Sequence, residues 1–262
     1  MFARFRTVPL AGVLALAALL ATSCKKDSDQ PSAGSVSMAF ENVAGAKALA
    51  LDGTAYATPS GETFSVSRFE YYVSNVVFTR ADGSTYAAPN VYHLVNAEKA
   101  STGTFTIDNV PVGDYLAVKF TVGVDSTTTK ADPLSFTGLL NDLNSANSMY
   151  WTWNSGHIFL KLEGTVTSAG NKAFTAHVGG FRSPYNAVVT AAPALGTGTT
   201  LQVRAGRTPQ LRYSADVLKI FDGVNHVPLS TLPTIMMPSA TSLQLAQNYA
   251  AGMFSLKRID TN

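Results

Sequence analysis

Residues 64–79 make a long run of β-branched and aromatic side chains, with Phe69, Tyr71, Tyr72, Val76, Val77 and Phe78 among them. The turn Ala81-Asp82-Gly83 follows and leads into residues 85–87, which predicts a hairpin. Alternating stretches at 36–40 and 91–95 predict two more strands. Residues 44–61 are looser, with turn signals at Asp52-Gly53 and Pro59-Ser60-Gly61. Strands at 104–107 and 115–124 flank Asn109-Val110-Pro111-Val112-Gly113, the pattern of a second hairpin with a longer loop. Asp132-Pro133 reads as a helix start, with proline at the first helical position, and 134–143 as a short helix. Residues 158–162 and 174–178 read as antiparallel partners, and 201–203 and 210–220 as further strands. A short amphipathic helix at 239–251 precedes a last strand at 253–258. Many short strands punctuated by turns predict an all-β protein, a single antiparallel β-sandwich domain with one or two short helices.

The 262-residue chain is 46% hydrophobic, enough for one large β-domain or two small ones. Only 14% of residues are charged, and the net charge is +2. The basic residues are scattered, with no Lys/Arg stripe among aromatics, so nothing points to nucleic acid. The N-terminus has the layout of an export signal. Arg4 and Arg6 supply a basic start, and the apolar stretch 8–20 is too short for a comfortable membrane span. Leu20-Ala21-Thr22-Ser23-Cys24 resembles a bacterial lipobox. The single cysteine excludes an internal disulfide, and at this place Cys24 reads as a lipidated anchor rather than a catalytic thiol. The polar stretch 25–34 reads as a tether. The expected organisation is a lipoprotein signal peptide at 1–23, a lipidated tether at 24–34 and a β-domain at 35–262. The expected location is the cell envelope, on an outer-membrane lipoprotein facing the periplasm or the cell surface. The start Cys24-Lys25-Lys26-Asp27 is similar to lipoproteins of the Bacteroidetes group.

The stretch 149–164 holds both tryptophans, Trp151 and Trp153, and one of four histidines, His157. With 158–162 and 174–178 paired and their loop centred near Ser168, His177 falls opposite Phe159. His157 is then its diagonal neighbour on the same face. Diagonal Cβ atoms lie roughly 7 Å apart, within reach of two imidazoles sharing one ion. A one-residue slip would separate them. Imidazole suits copper, zinc, iron and nickel alike. Trp151 and Trp153 share parity with His157, although Asn154-Ser155-Gly156 reads as a turn able to break the alternation. His93, in a strand, and His226, in a loop, read as structural and solvent-exposed. Asp125, Asp132, Asp142 and Glu163 offer carboxylates of the kind any globular protein carries. Met236 and Met237 offer thioethers of the type Cu(I) takes, though their place between Pro233 and Pro238 reads first as packing. No Gly-x-Ser-x-Gly elbow, His-Glu-x-x-His motif or phosphate-binding glycine loop occurs, so the chain reads as a binder and not an enzyme.

Several blocks resemble the MbnP-like family, copper-binding periplasmic proteins and lipoproteins associated with methanobactin operons. They include Phe64-Ser-Val-Ser-Arg-Phe-Glu-Tyr-Tyr-Val-Ser-Asn75, Met149-Tyr-Trp-Thr-Trp-Asn-Ser-Gly156, Phe174-Thr-Ala-His-Val-Gly-Gly180 and Asp216-Val-Leu-Lys-Ile-Phe-Asp222. The resemblance implies a β-sandwich that binds copper. It also implies a partner di-haem enzyme of the MauG-like peroxidase type that oxidises a tryptophan to kynurenine. Carried over, Trp151 or Trp153 is the oxidised residue and His177 the foremost ligand. His157 departs from the pattern, which has an aromatic after Ser-Gly.

Two other readings compete. One is a surface module that binds glycan or a protein partner through tyrosines such as Tyr56, Tyr71, Tyr72 and Tyr86 together with tryptophan. The other is a structural envelope protein whose Trp pair lies in the core.

Overall fold

The computed structural model describes residues 1–3, 32–141, 148–153 and 156–261. The chain divides into two compact units, Met1–Gln30 and Pro31–Asn262. The lipobox with Cys24, and Asp142, lie outside the described residues.

The first half of the second unit runs β1 (Ala33–Ala44), β2 (Lys47–Ala48), β3 (Tyr56–Ala57), β4 (Thr63–Arg80), β5 (Thr85–Ala87), β6 (Tyr92–Asn96), β7 (Thr104–Pro111), β8 (Gly113–Val122) and the one-turn helix α1 (Ser126–Thr129). The second half runs β9 (Tyr150–Trp151), β10 (Gly156–Val166), β11 (Lys172–Gly179), β12 (Val189–Ala191), β13 (Leu201–Val203), β14 (Gln210–Asp216), α2 (Leu218–Phe221), α3 (Ala240–Asn248) and β15 (Phe254–Asp260). A π-turn, Tyr249–Met253, links the last two.

The strands form two sheets. The smaller is ordered β15-β14-β1, with β2 and β7 on β1. The larger is built on β4. Tyr71 pairs with both Leu160 of β10 and Val95 of β6, so those strands lie on opposite edges of β4. β10 takes the first half of one edge and β8 the second half. At Asn75 the backbone turns to φ 49, and the pairing with β8 shifts between Ser74 and Val77. Asparagine tolerates this left-handed conformation, and the resulting bulge lets one 18-residue strand bend and serve two partners.

The two sheets enclose an aromatic core. Phe40 of β1 packs within 6.2 Å of the rings of Tyr71, Phe105, Phe120, Tyr213 and Phe254, drawn from both sheets. Three of these contacts are edge-to-face and two are stacked, and such pairs add roughly 0.5–1.5 kcal/mol each beyond the burial itself.

The fold is an all-β sandwich with short helices, and four local expectations are corrected. β1 and β14 pair in parallel, so the smaller sheet is mixed. Residues 104–124 form no hairpin: β7 pairs with β1 and β8 with β4, and the chain crosses between sheets at Val112-Gly113. Gly113 has φ 156, a backbone conformation that favours glycine at this crossing. The expected helix at 134–143 is two 3-10 turns, Pro133–Ser135 and Gly138–Asn141. Asp132 caps the first through Leu134 N, but Phe136 is extended at φ −70 and ψ 140 and ends it. The expected strand 210–220 ends at Asp216, whose carboxylate accepts from Leu218 N and starts α2.

Candidate metal centre

β10 and β11 form the expected hairpin, in a different register. The connection occupies residues 167–171, with a 3-10 turn at Thr167–Ala169 and left-handed Gly170 and Asn171. His177 therefore lies opposite Lys161, not Phe159. Phe159 has no partner, because Ile158 pairs with Gly179 and Leu160 with Val178. It is the bulge residue, and its ring fills the space left by the absent side chain of Gly123. His157 is four positions along β10 from Lys161, on the order of 13 Å of extended strand. The two imidazoles share no partner, and the structure does not bring them together.

Their surroundings differ. Both ring nitrogens of His157 are engaged, Nδ1 with the Thr129 hydroxyl at 3.0 Å and Nε2 with Leu140 O at 3.4 Å. Tyr72, Phe136 and Tyr150 enclose the ring. Burial pushes its pKa down to about 4. His177 places Nε2 2.6 Å from Glu163 Oε1. Facing a carboxylate, that nitrogen carries the hydrogen and donates it. Nδ1 is then a lone-pair acceptor, buried and without a partner among the described residues. Burial lowers the His177 pKa, outweighing the raising effect of Glu163, while Lys161 and Arg68 add to the lowering. The ring is held neutral with one nitrogen fixed and the other free. That is how a carboxylate orients a histidine toward a metal.

The hairpin β9–β10 decides the fate of the tryptophans. Tyr150 pairs with His157 and Trp151 with Gly156, so Trp151 and His157 project from opposite faces of the hairpin. Trp151 is buried and turns its ring to Gly179 of β11. His177 and Gly179 share a face of β11, two residues apart. Trp151, not His157, thus shares a face of the sheet with His177, its ring over a residue two positions along β11. The indole Nε1 is also buried without a partner among the described residues. Trp153 is 58% exposed, its ring centroid 5.8 Å from that of Trp151. The pair is half core and half surface. Trp151 also lines a pocket of about 160 Å³ with Gly180, Phe181, Tyr185 and Pro238. Asn154 and Ser155 lie outside the described residues.

Under this face lies a buried ion pair. Lys161 Nζ donates to Ser148 O at 2.8 Å and lies 4.0 Å from Glu70 Oε2. Asn96 Nδ2 donates to Glu70 Oε1. Burial raises the Glu70 pKa.

The other sequence candidates lie elsewhere. His93 Nε2 donates to Thr102 O, and the ring stacks on Phe105 at 4.2 Å. His226 contacts Asp222 on the surface. Asp125 accepts from Tyr92 and two backbone amides, and caps α1. Tyr56, Tyr71 and Tyr72 are buried and present no stacking surface. Sequence reasoning missed Gly179, whose signal was a Gly-Gly pair following a histidine-bearing strand. It also missed the role of Glu163, which only the register reveals. Among the described residues, no three His, Cys, Asp or Glu side chains converge as a metal cage.

A family model described as MbnP matches residues 33–237, more than half of the chain. Among solved structures, the fold is similar to MbnP from Methylosinus trichosporium, at 15% identity and a TM-score of 0.52 over 87% of this chain and 99% of that one. No curated protein sequence matches.

Proposed function

Since the chain belongs to the MbnP family, we propose that it is a copper-binding protein of the cell envelope, with His177 as a metal ligand and Trp151 as the adjoining site residue. The observation that carries this reading is the His177 imidazole, held by Glu163 at Nε2 with a buried, unpartnered Nδ1. A buried acceptor without a donor costs about 1–3 kcal/mol, which a bound metal would offset. Neutral imidazole is a good copper ligand. His177 would hold the metal, and Glu163 would fix the ring orientation and raise its basicity. The donor set is sparse, and that fits a second element of the proposal. Oxidation of Trp151 to kynurenine by a partner di-haem peroxidase would open the indole and supply an aniline nitrogen and a carbonyl next to His177. Trp153, exposed beside it, would face such a partner. The chain then acts as substrate of the partner and as a metal binder, with no catalytic residue of its own. Cys24 would tether it to the membrane.

The test is metal content and tandem mass analysis of mature protein from its native host. Copper bound, with a gain of about 4 Da localised to Trp151, is the expected result; that shift follows from the covalent change itself. Unmodified Trp151 with copper would remove the kynurenine element alone. Protein without copper, and without affinity above a His177→Ala control, sinks the metal reading. Exposure of Trp153 and Tyr185 beside the pocket favours a second reading, a surface that binds a glycan or protein. Ligand binding indifferent to chelator would single it out.

A further inference from the structure

We propose that the pocket between the β9–β10 hairpin and the loop 180–187 binds a single-ring aromatic carboxylate, with the ring against Phe181, Tyr185 and Pro238 and the carboxylate on Arg182. The inference stands on the pocket itself and depends on neither reading above.

Three segments build the pocket. The loop that follows β11 closes on itself, Ala187 N donating to Gly180 O at 2.8 Å. Gly180 turns the chain at φ 113, and a Cβ there would meet Pro238 Cγ and Tyr185 O, each at 2.8 Å. The segment ahead of α3 and the far arm of the loop therefore both close on this one bare position. On the hairpin side Gly156 pairs with Trp151, and a Cβ on Gly156 would stand 3.4 Å from Phe181 Cε1. Strand pairing and close packing thus set the walls, while Arg182 and Tyr185 are exposed and leave the pocket open to solvent.

Size and lining select the ligand. The pocket measures about 160 Å³. An apolar cavity of about 150 Å³ holds one benzene ring, so a single ring fills this one. Trp151, Phe181, Tyr185 and Pro238 present flat, apolar surface, which suits an aromatic ring. Among the described residues no Asp, Glu, Asn or Gln lines the pocket, so the hydroxyl groups of a sugar would lack side-chain partners there. The one charged residue of the lining is Arg182. Its guanidinium lies over the Phe181 ring, 4.6 Å from the centroid, and forms no ion pair among the described residues. Stacking occupies the face of a guanidinium and leaves its N–H donors free at the edge. Two such parallel donors match the two oxygens of a carboxylate. An acid of benzoate size answers both demands at once, since its carboxylate is attached directly to a flat ring.

The test is titration of the mature protein, with chelator present, against benzoate. Saturation transfer to the benzoate ring protons and the indole N–H signals of nitrogen-15-labelled protein report binding. Benzyl alcohol, with the ring but no charge, and galacturonate, with the carboxylate on a sugar, are the comparison probes. Benzoate is expected to bind saturably and more tightly than either. Arg182→Gln should weaken benzoate by roughly tenfold or more and bring it level with benzyl alcohol, and Arg182→Lys, which keeps the charge but loses the fork, should weaken it less. Arg207→Gln, which removes the same charge from the connection between β13 and β14, and His177→Ala should bind as wild type. Benzoate affinity unchanged in Arg182→Gln, or matched by benzyl alcohol in wild type, overturns the carboxylate assignment. Tighter binding of galacturonate overturns the aromatic class, and no saturable response to benzoate overturns the site. Benzoate binding lost in His177→Ala would move the ligand to β11 and overturn the pocket.

Discussion

The indole of Trp151 lies over Gly179, so close that a Cβ on that glycine would meet Cζ3 at 2.8 Å and Cη2 at 3.0 Å. The same Cβ would stand 2.7 Å from His157 O, which is backbone and cannot step aside. Gly179→Ala should therefore displace the indole or the β9–β10 hairpin, at a cost of about 1–3 kcal/mol. Chemical denaturation checks the cost, and a red shift of tryptophan emission checks the displacement. An unchanged spectrum in a protein of wild-type stability would mean that Trp151 does not sit there.

The two tryptophans should respond unequally to truncation. Trp151→Ala empties a core position and should cost about 3–5 kcal/mol. Trp153→Ala, at a mostly exposed residue, should stay within about 0.5 kcal/mol. A pair lying wholly in the core would make both truncations costly; burial assigns the large cost to Trp151 alone. Paired denaturation curves distinguish the two.

His157 should make the protein acid-sensitive. Its folded pKa is depressed to about 4, against an ordinary value of 6.5. The unfolded state takes up the proton first, so stability is complete above about 6.5 and falls as pH drops from there toward 4. The loss amounts to about 3 kcal/mol across that window. His157→Asn should flatten this part of the stability–pH profile, as measured by denaturation at several pH values. A wild-type slope in the variant would assign the sensitivity to another group.

His177 should behave differently. Its pKa is lowered as well, so the ring stays neutral to lower pH than a free imidazole and metal affinity persists accordingly. Glu163→Gln removes the charged acceptor at Nε2 and should weaken copper binding roughly tenfold or more while the fold survives. Titration with the variant measures this, and nitrogen-15 spectra of the wild-type ring should show the Nε2–H tautomer.

Lys161 and Glu70 should be strongly coupled. Lys161→Met leaves the Glu70 carboxylate buried without its ammonium and should cost about 3–5 kcal/mol. Replacing both, as Lys161→Met with Glu70→Leu, should recover most of that loss. A double-mutant cycle that comes out additive would rule out the coupling.

The sequence by itself determined the material of the fold. Alternation and turn residues located β4 with its β5 hairpin, the antiparallel partnership of β10 with β11, and α3 before the last strand. These are signals of adjacent or nearby residues, and a period of two carries them. The sequence also singled out His177, Trp151 and Trp153, because so few histidines and tryptophans are present. The tertiary structure alone decided what those residues meet. A strand pattern says which faces alternate but not which strand lies alongside, so β7 and β8 looked like a hairpin although they belong to different sheets. Register is equally non-local. A five-residue connection and a bulge at Phe159, accommodated by Gly123 on another strand, took His177 away from His157 and set it opposite Lys161. One bare position, Gly179, then admitted Trp151 to the same face, and a strap more than fifty residues onward laid Ile235 beside Ala176 at the edge of β11. The candidate site is a product of strand pairing, because its members are far apart in the chain and only hydrogen-bonded neighbours place them together.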